Sequence, residues 1–196
     1  MNGLSTSLDS NENVEAPVNR TFKMSSIFQD WRANAGNKKA QLVLLAFRVA
    51  QSIRRSHRPI YLLGAPYLVF YRVTIEWMLC IELPWNTQVG PGLRLFHGMG
   101  LVVNDQTVIG RNVVLRHTTA IGVKETLHFG THAAPIIGDD VDISAHVVIS
   151  APINVGRGVR INAGSGEVSV RSASATHVSR PAQIVHLNAM LGTSYV

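Results

Sequence analysis

The sequence predicts a mainly β fold, a parallel β-helix built from hexapeptide repeats. Across residues 89–165 an aliphatic residue returns every six positions, and Ile, Leu or Val occupies every such position. Glycine follows five of them, and a second aliphatic column follows four positions after the first, as at Val113, Val141, Val147, Ile153 and Val159. The first column consists of Val89, Leu95, Leu101, Ile109, Leu115, Ile121, Ile137, Ile143, Ile149, Val155 and Ile161. A period of six fits neither an α-helix nor simple strand alternation.

Short strands joined by sharp corners satisfy this period, because each unit points one aliphatic side chain inward and turns on the next small residue. Three units close a triangular coil, and successive coils stack at about the 4.8 Å spacing of neighbouring strands. Known hexapeptide coils wind left-handed, against the usual preference of parallel crossovers. We therefore expect a left-handed parallel β-helix over residues 86–166.

The residues on either side of this region are assigned by their composition and spacing. Residues 1–22 are rich in polar residues and are expected to be a disordered tail. Apolar residues at helical spacing place a small N-terminal α-helical region at residues 23–85, with the pair Gly36 and Asn37 between two short helices. Residues 167–196, where the repeat decays, are a C-terminal segment and tail.

Composition restricts the ligands and the compartment. The chain of 196 residues carries a formal net charge of +6, which favours anionic ligands. Because no stripe of basic residues with interleaved aromatic residues is present, a phosphate-bearing small molecule is expected rather than nucleic acid. The single cysteine, Cys80, excludes an internal disulfide framework and suits the reducing cytoplasm.

The apolar stretch 59–83 has two interpretations. A transmembrane helix needs about 20 largely uncharged residues, and Arg72 and Glu76 interrupt this one. We therefore expect a helix packed on the base of the β-helix or on a partner subunit. The alternative is peripheral contact with anionic lipid at the inner face of the membrane, because three arginines precede the stretch. They are Arg54, Arg55 and Arg58.

The six-residue grid is broken twice, and each break is expected to leave the coil as a bulge or a loop. Leu101 to Ile109 spans eight positions, two more than one unit. Ile121 to Ile137 spans sixteen, four more than two units. This second break contains a polar loop, residues 123–135, and function is often found in such loops of a solenoid.

Two of the eight histidines fall in one register of the grid. His97 lies two residues after Leu95 and His117 two residues after Leu115, one full coil later. If the first break stays at a corner, both imidazoles stack on one face of adjacent coils and address one ligand. The ordinary pKa of histidine, about 6.5, suits proton removal from a hydroxyl at neutral pH, and His97 is the candidate base. His146, by contrast, is expected to be a solvated surface residue.

The region from Val89 to Gly122 resembles a known family. Its 6, 6, 8, 6, 6 grid spacing and the placement of His97 resemble the serine acetyltransferase branch of the hexapeptide-repeat acyltransferases. Residues 97–104 and 116–122 are similar to the polysaccharide branch, typified by the colanic acid biosynthesis acetyltransferase. Shorter matches to that branch lie at 44–50, 65–66 and 71–72. The resemblance covers roughly residues 27–185.

This resemblance implies an acetyl-CoA-dependent O-acetyltransferase without a metal, active as a cytoplasmic homotrimer with active sites in grooves between neighbouring β-helices. His97 matches the family's general base. Glu82 falls where the serine enzymes place an acidic residue that orients the base and stabilises the imidazolium. Backbone N–H groups or His117 would stabilise the developing oxyanion.

The resemblance also suggests where CoA binds. Its pantetheine arm would approach the main chain along coil edges that carry small residues, which makes Gly122, Ala145 and Ala163 candidates by position. The alternative for each is simple packing at a corner. Arg180 or other basic residues near the C-terminal end would meet the CoA phosphates.

Two departures from the serine enzymes favour a carbohydrate acceptor. Those enzymes carry an acid immediately before the catalytic histidine, where this chain has Phe96. They also carry a histidine before the proline of the loop, where this chain has Ala134, and His132 lies two residues short of that position. In the serine enzymes that acid and that histidine hold the amino acid, whereas an apolar Phe96 suits the face of a sugar ring. Phe96 and His132 are therefore candidate substrate-binding residues for exopolysaccharide or capsule synthesis.

Three other functions stay open. A serine O-acetyltransferase of cysteine biosynthesis would keep the reaction type. A zinc carbonic anhydrase of the β-helix type binds its metal through three histidines, and His97, His117 and either His128 or His132 resemble such a set, although the expected paired spacing is missing. A non-catalytic trimeric scaffold would use the same coil without CoA.

Overall fold

The computed structural model describes residues 26–123, 134–150 and 153–164, together with the backbone of three short strands beyond them. Two α-helices, Lys38–Arg55 (α1) and Arg58–Tyr71 (α2), and a π-helix, Arg72–Met78, precede the strands. The strands, numbered β1 to β15, are Ile81–Glu82, Gln88–Val89, Arg94–Phe96, Leu101–Val103, Val108–Ile109, Val114–Arg116, Ala120–Gly122, Ile136–Ile137, Asp142–Ile143, Val148–Ser150, Asn154–Val155, Arg160–Ile161, Val168–Val170, His177–Val178 and Val185–Leu187.

Three parallel sheets form the walls of a triangular coil. Sheet I is ordered β1-β4-β7-β10, sheet II is ordered β2-β5-β8-β11, and sheet III is ordered β3-β6-β9-β12-β14. Successive strands from β2 to β12 therefore enter sheets II, III and I in turn, and each strand pairs in parallel with the strand of the same wall one coil later. The predicted parallel β-helix is confirmed.

The core is the aliphatic grid itself. All eleven residues of the first column are at most 2% exposed. The second column, which consists of Val113, Val141, Val147, Ile153 and Val159, is buried with it. Each such side chain contributes about 1.5–3 kcal/mol by burial, so the repeated six-residue pattern accounts for the stability of the stack.

The strand pairing places the first break of the grid earlier in the chain than the sequence predicts. Val103, and not Leu101, is the register partner of Ile121. The two extra residues of this coil therefore precede Val103 and lie in the corner that contains His97. Leu101 and Val103 are both aliphatic and both buried, so the sequence pattern could not distinguish them.

The second break is also counted differently in the structure. Since β8 pairs with β5 and β10 pairs with β7, β7 and β8 are successive strands of the winding. The interval from Ile121 to Ile137 therefore holds one repeat unit and ten further residues, not two units and four. Most of the predicted loop 123–135 lies outside the described residues.

The helical region differs from the two short helices that the sequence predicts. Residues 27–36 form turns, and the helix begins only after Asn37, whose side chain accepts a hydrogen bond from the N–H of Ala40. The physical reason is that polar side chains in the turn segment bond to the β-helix. Asn34 Nδ2 donates to the carbonyl of Leu93 at 2.7 Å, and Asn34 Oδ1 accepts from the N–H of Leu95.

Buried polar side chains form hydrogen bonds with the backbone at the open edge of the first coil, where β2 and β3 are the terminal strands of their sheets. Asp30 Oδ1 accepts hydrogen bonds from the N–H groups of Gly92 and Leu93 at 2.8 and 3.0 Å. Arg48 donates to the carbonyls of residues 89–90 and pairs with Asp30 at 2.7 Å. Strand edges are otherwise open to pairing with other chains, so these side chains close the lower end of the solenoid.

The second helix packs against α1, and the π-helix packs against β1. Leu68, Tyr71 and Ile75 are buried on the inner side, and the Tyr71 hydroxyl donates to the carbonyl of Leu83 at 2.8 Å. This agrees with a helix packed on the base of the β-helix. No helix among the described residues is long and apolar enough to cross a membrane.

Candidate active site

Both imidazoles singled out in the sequence meet at one corner of the coil. We call it the histidine corner (residues 97–100, 117–119 and 145–147), where the chain passes from sheet III to sheet I. Because Phe96 pairs with Arg116, His97 and His117 follow at equivalent positions of adjacent coils. Their ring centroids are 6.0 Å apart, with an interplanar angle of 77°. The register inference is confirmed.

A third imidazole, which the sequence interpretation left as a surface residue, joins this pair. The ring of His146 lies 5.3 Å from the ring of His117, and its Nδ1 is 2.9 Å from the hydroxyl oxygen of Thr118. His146 is exposed, as expected, but it is not isolated. The available signal was that His146 lies three residues after Ile143, as Thr118 lies three residues after Leu115.

The two inserted residues shape the corner around His97. His97 and Gly98 both have a φ of +65°, in the left-handed region that few side chains adopt. The N–H of Gly98 donates to the carbonyl of Phe96, and the N–H of Met99 donates to the carbonyl of His97. These tight turns hold the backbone while the imidazole of His97 stays exposed. The strained backbone coincides with the candidate base, as is common at functional sites.

Small residues continue the column of imidazoles. Ile143 pairs with Ile161, so Ala145 and Ala163 occupy the positions of His97 and His117 in the next two coils. The Nδ1 atom of His117 is buried and has no hydrogen-bond partner among the described residues. The structure thus brings His97, His117, Ala145 and Ala163 to one corner.

Glu82 lies on a different surface. It is an exposed residue of β1, in register with Val102 on the outer face of sheet I. Within the described part of the chain no hydrogen bond or ion pair joins it to His97. Glu82 instead lines a cleft of about 500 Å³ with Glu76, Trp85 and other residues, and His97 does not line that cleft.

The cleft is rich in charged groups. Burial raises the pKa of the Glu76 carboxyl, the charge of Glu82 raises it further, and Arg72, 3.3 Å away, lowers it. The Arg72 guanidinium also lies 4.8 Å from the centre of the Trp85 ring. Gly122 lines the same cleft, and a Cβ added there would meet no atom within 4 Å. Packing among the described residues therefore does not require glycine at position 122.

Phe96 is half-buried and has cationic neighbours that the sequence interpretation missed. The guanidinium groups of Arg94 and Arg116 lie 5.3 and 5.5 Å from the centre of its ring. Arg116 also pairs with Asp142 and donates to the carbonyl of Ile143 at 3.1 Å. The position before His97 is therefore an aromatic ring beside two positive charges.

The remaining predicted site residues, His132 and Arg180, lie outside the described residues, as does His128. In the segments that the structure describes, no three metal-binding side chains converge on one point. The chemistry that the arrangement supports is proton transfer by imidazole, next to a surface lined by small side chains.

Sequence and structure comparisons identify related proteins. No family model matches the chain. The putative colanic acid biosynthesis acetyltransferase WcaB of Escherichia coli K12 is 32% identical over 142 residues, which is 71% of this chain and 86% of WcaB. A serine acetyltransferase of Helicobacter pylori is 28% identical, over 72% of this chain and 78% of that enzyme.

Solved structures give the same family. Soybean serine acetyltransferase in complex with serine matches with a TM-score of 0.62 and 27% identity, over 82% of this chain and 68% of that chain. These enzymes have the left-handed β-helix fold. The chain therefore belongs to the hexapeptide-repeat acyltransferases, in the serine acetyltransferase-like branch, and is an acetyltransferase.

Proposed function

We propose that this chain transfers the acetyl group of acetyl-CoA to a hydroxyl of a carbohydrate, in the synthesis of an exopolysaccharide or a capsule. The observation that carries the proposal is the histidine corner, where an exposed imidazole lies beside a second imidazole and a column of alanines. Acetyl-CoA supplies an activated thioester, and the corner supplies the base and room for an extended arm.

His97 acts as the general base. It accepts the proton of the acceptor hydroxyl as that oxygen attacks the thioester carbonyl, and the imidazolium returns a proton to the departing thiolate. Nδ1 of His117 is buried and has no hydrogen-bond partner among the described residues, and in this proposal Nε2 of the same ring donates to the developing oxyanion. Glu82 is a candidate to orient His97 only across a contact between subunits, because within one chain it faces a separate cleft. Ala145, Ala163 and Gly122 are candidates for contact with CoA.

A neighbouring subunit completes the site. His97 is exposed in the single chain, and attack on a thioester in open solvent competes with hydrolysis, so the corner needs a second wall that excludes water. In the proposed homotrimer an adjacent β-helix supplies that wall. The proposed location of the enzyme is the cytoplasm.

The surroundings of His97 favour a carbohydrate over an amino acid. The ammonium group of an amino acid requires an anionic partner, whereas Phe96, immediately before the base, has Arg94 and Arg116 beside it. The name of WcaB, which refers to colanic acid biosynthesis, supports a polysaccharide hydroxyl as the acceptor.

Serine is the second candidate acceptor. The matching soybean enzyme was solved in complex with serine, and the cleft beside Glu82 presents Glu76 and Asp105, either of which could hold an ammonium group. That cleft lies away from His97, so serine is the weaker proposal.

Thiol release from acetyl-CoA tests the function. We expect the full chain to release thiol in the presence of oligosaccharides or simple sugars, and not with serine. Turnover of serine would overturn the acceptor assignment but leave the reaction type standing. Absence of both thiol release and a thermal shift with CoA would instead favour a scaffold.

Substitution of the base sharpens this test. His97→Asn should lower turnover by about 10²–10⁴-fold, the usual contribution of a general base, while CoA still binds. Asparagine is chosen because it tolerates the positive φ of this position. The matched control is His57→Asn, an exposed histidine before α2, and its turnover should equal that of the parent. Equal rates for both variants would remove His97 from the mechanism.

A further inference from the structure

The second helix and the π-helix that continues it have an apolar side that no described residue covers. Leu62, Leu63, Val69, Phe70, Val73 and Trp77 are all exposed, by 84% for Leu63 and 60% for Phe70. They recur at intervals of four and seven residues, which places them along one side of the helix. The opposite side packs on the protein through Leu68 and Tyr71. A helix that is apolar on all sides is normally buried, so this outer side requires an occupant.

Charge identifies the occupant. From residue 31 to residue 75 the sequence contains eight Lys or Arg residues and no Asp or Glu. Three of these cations, Arg54, Arg55 and Arg58, are exposed at the N-terminal end of the apolar side. The π-helix adds one acidic residue, Glu76, which pairs with Arg72 at 3.3 Å and is 13% exposed. The exposed charge of this surface is therefore mainly positive, and a partner that covers it must supply anions.

A second copy of this chain meets that requirement poorly. In a two-fold contact the same surface faces itself, so the arginines of both copies would meet, and Glu76, the acidic residue of the segment, is already paired with Arg72. An anionic lipid surface supplies both components, because the acyl region accepts apolar side chains and the headgroups carry the negative charge.

We propose that the outer side of α2 and of the π-helix, with Arg54, Arg55 and Arg58, docks this protein on an anionic membrane surface. The helix lies in the plane of the interface, with its long apolar side chains toward the acyl region and the arginines among the headgroups.

Co-sedimentation of the full chain with lipid vesicles tests the proposal. We expect binding to vesicles of phosphatidylcholine mixed with phosphatidylglycerol, little binding to phosphatidylcholine alone, and weakening by salt. Each basic residue near an anionic surface contributes about 1 kcal/mol, or about fivefold. The triple variant Arg54→Gln/Arg55→Gln/Arg58→Gln should therefore bind roughly a hundredfold more weakly.

The apolar side is tested with Leu63→Glu/Phe70→Glu, two exposed positions at which the change leaves the core intact. Binding should fall by at least about tenfold, because each lost side chain removes apolar transfer energy. The matched control, Val148→Glu, places a charge at an exposed apolar position of β10 and should bind as the parent does. Lipids brominated on their acyl chains should quench the tryptophan fluorescence of the parent through Trp77, and this quenching should be absent in Trp77→Phe.

Two results would overturn the proposal. One is equal sedimentation of the parent with both kinds of vesicle, or with neither. The other result has three parts: the parent does not bind vesicles, its molar mass without lipid exceeds that of a trimer, and Leu63→Glu/Phe70→Glu lowers that molar mass. That second result would assign the surface to contact between copies of the chain.

Discussion

Two corners of the β-helix share one backbone conformation and carry different side chains. At the histidine corner Gly100, Thr118 and His146 have φ values of 70°, 53° and 60°. We call the corner between sheets II and III the asparagine corner. Its corresponding φ values are 81°, 54°, 59° and 72°, for Gly92, Asn112, Asp140 and Gly158. In both, the N–H groups of these residues donate to carbonyls of the coil below, except that of Gly92 in the first coil, which donates to Asp30 Oδ1. The winding itself therefore does not distinguish the two corners.

The corners differ in where their polar side chains find partners. At the asparagine corner Asn112 donates to Asp140 at 3.0 Å, and Arg157 pairs with Asp140 at 2.8 Å. At the histidine corner His146 Nδ1 lies 2.9 Å from the Thr118 hydroxyl oxygen, but the side chain of His97 makes no hydrogen bond to any described residue and Nδ1 of His117 has none either. The difference teaches that polar groups paired within the chain stabilise the coil, whereas those left unpaired are available to a ligand.

The largest expected effect is a loss of folding stability at the first coil of the asparagine corner. Asp30→Ala removes the acceptor for two backbone N–H groups and leaves Arg48, which is 1% exposed, without its carboxylate. Loss of one partner of a buried ion pair costs about 3–5 kcal/mol. Urea unfolding should show this loss, while turnover per folded molecule is unchanged.

The control for this variant is Arg157→Ala. Arg157 is 78% exposed, and surface ion pairs contribute about 0–1 kcal/mol. If Asp30→Ala were no more destabilising than this control, the buried network would not be what closes the lower edge of the coil.

At the histidine corner the expected effect is kinetic. His117→Ala should lower kcat by about 10²–10³-fold, which is typical for loss of one oxyanion donor, and should lower the free energy of unfolding by less than Asp30→Ala does. Asn112→Gly is the matched change at the asparagine corner, because glycine keeps the positive φ. It should weaken stability slightly and leave kcat unchanged. The reverse pattern would contradict the division between the two corners.

The sequence predicted the features that repeat and missed those that depend on contacts distant along the chain. A strict aliphatic period fixes the coil, and an equal offset from Leu95 and Leu115 places His97 beside His117. The position of the inserted residues depends on whether Leu101 or Val103 faces Ile121, which two equivalent aliphatic residues cannot show.

The lower edge was missed for a related reason. In the sequence, Asp30 and Arg48 cannot be told from surface charges, because the backbone groups that they bind lie about 40 to 60 residues away. The roles of Glu82 and Phe96 rest on resemblance. The structure adds that Glu82 faces a separate cleft and that Phe96 has cationic neighbours.

A smaller effect is expected where coils stack. A Cβ at Gly110, two residues before Asn112, would lie 2.6 Å from backbone atoms of Gly138. Gly110→Ala should therefore cost about 1–3 kcal/mol, as overpacking does. Gly122→Ala has open space and should not alter the unfolding midpoint. If CoA passes over Gly122, that variant should raise the KM for acetyl-CoA, and an unchanged KM would remove Gly122 from the CoA site.

The smallest effect concerns pH at the exposed end of the asparagine corner. Hydrogen bonds from Asn112 and Arg157 lower the pKa of the Asp140 carboxyl below its ordinary value of 3.8. Because the folded pKa lies below the unfolded one, the stabilisation is complete above the ordinary value and is lost as pH falls through the folded value. Asp140→Asn should therefore lower Tm at neutral pH, by at most about one degree for an exposed group, and the difference from the parent should vanish in acid. In an Asn112→Gly background the difference at neutral pH should be smaller, since one of the two donors is gone. A difference between parent and variant that stayed constant from neutral pH into acid would show that the charge of Asp140 does not contribute to the stability of this corner.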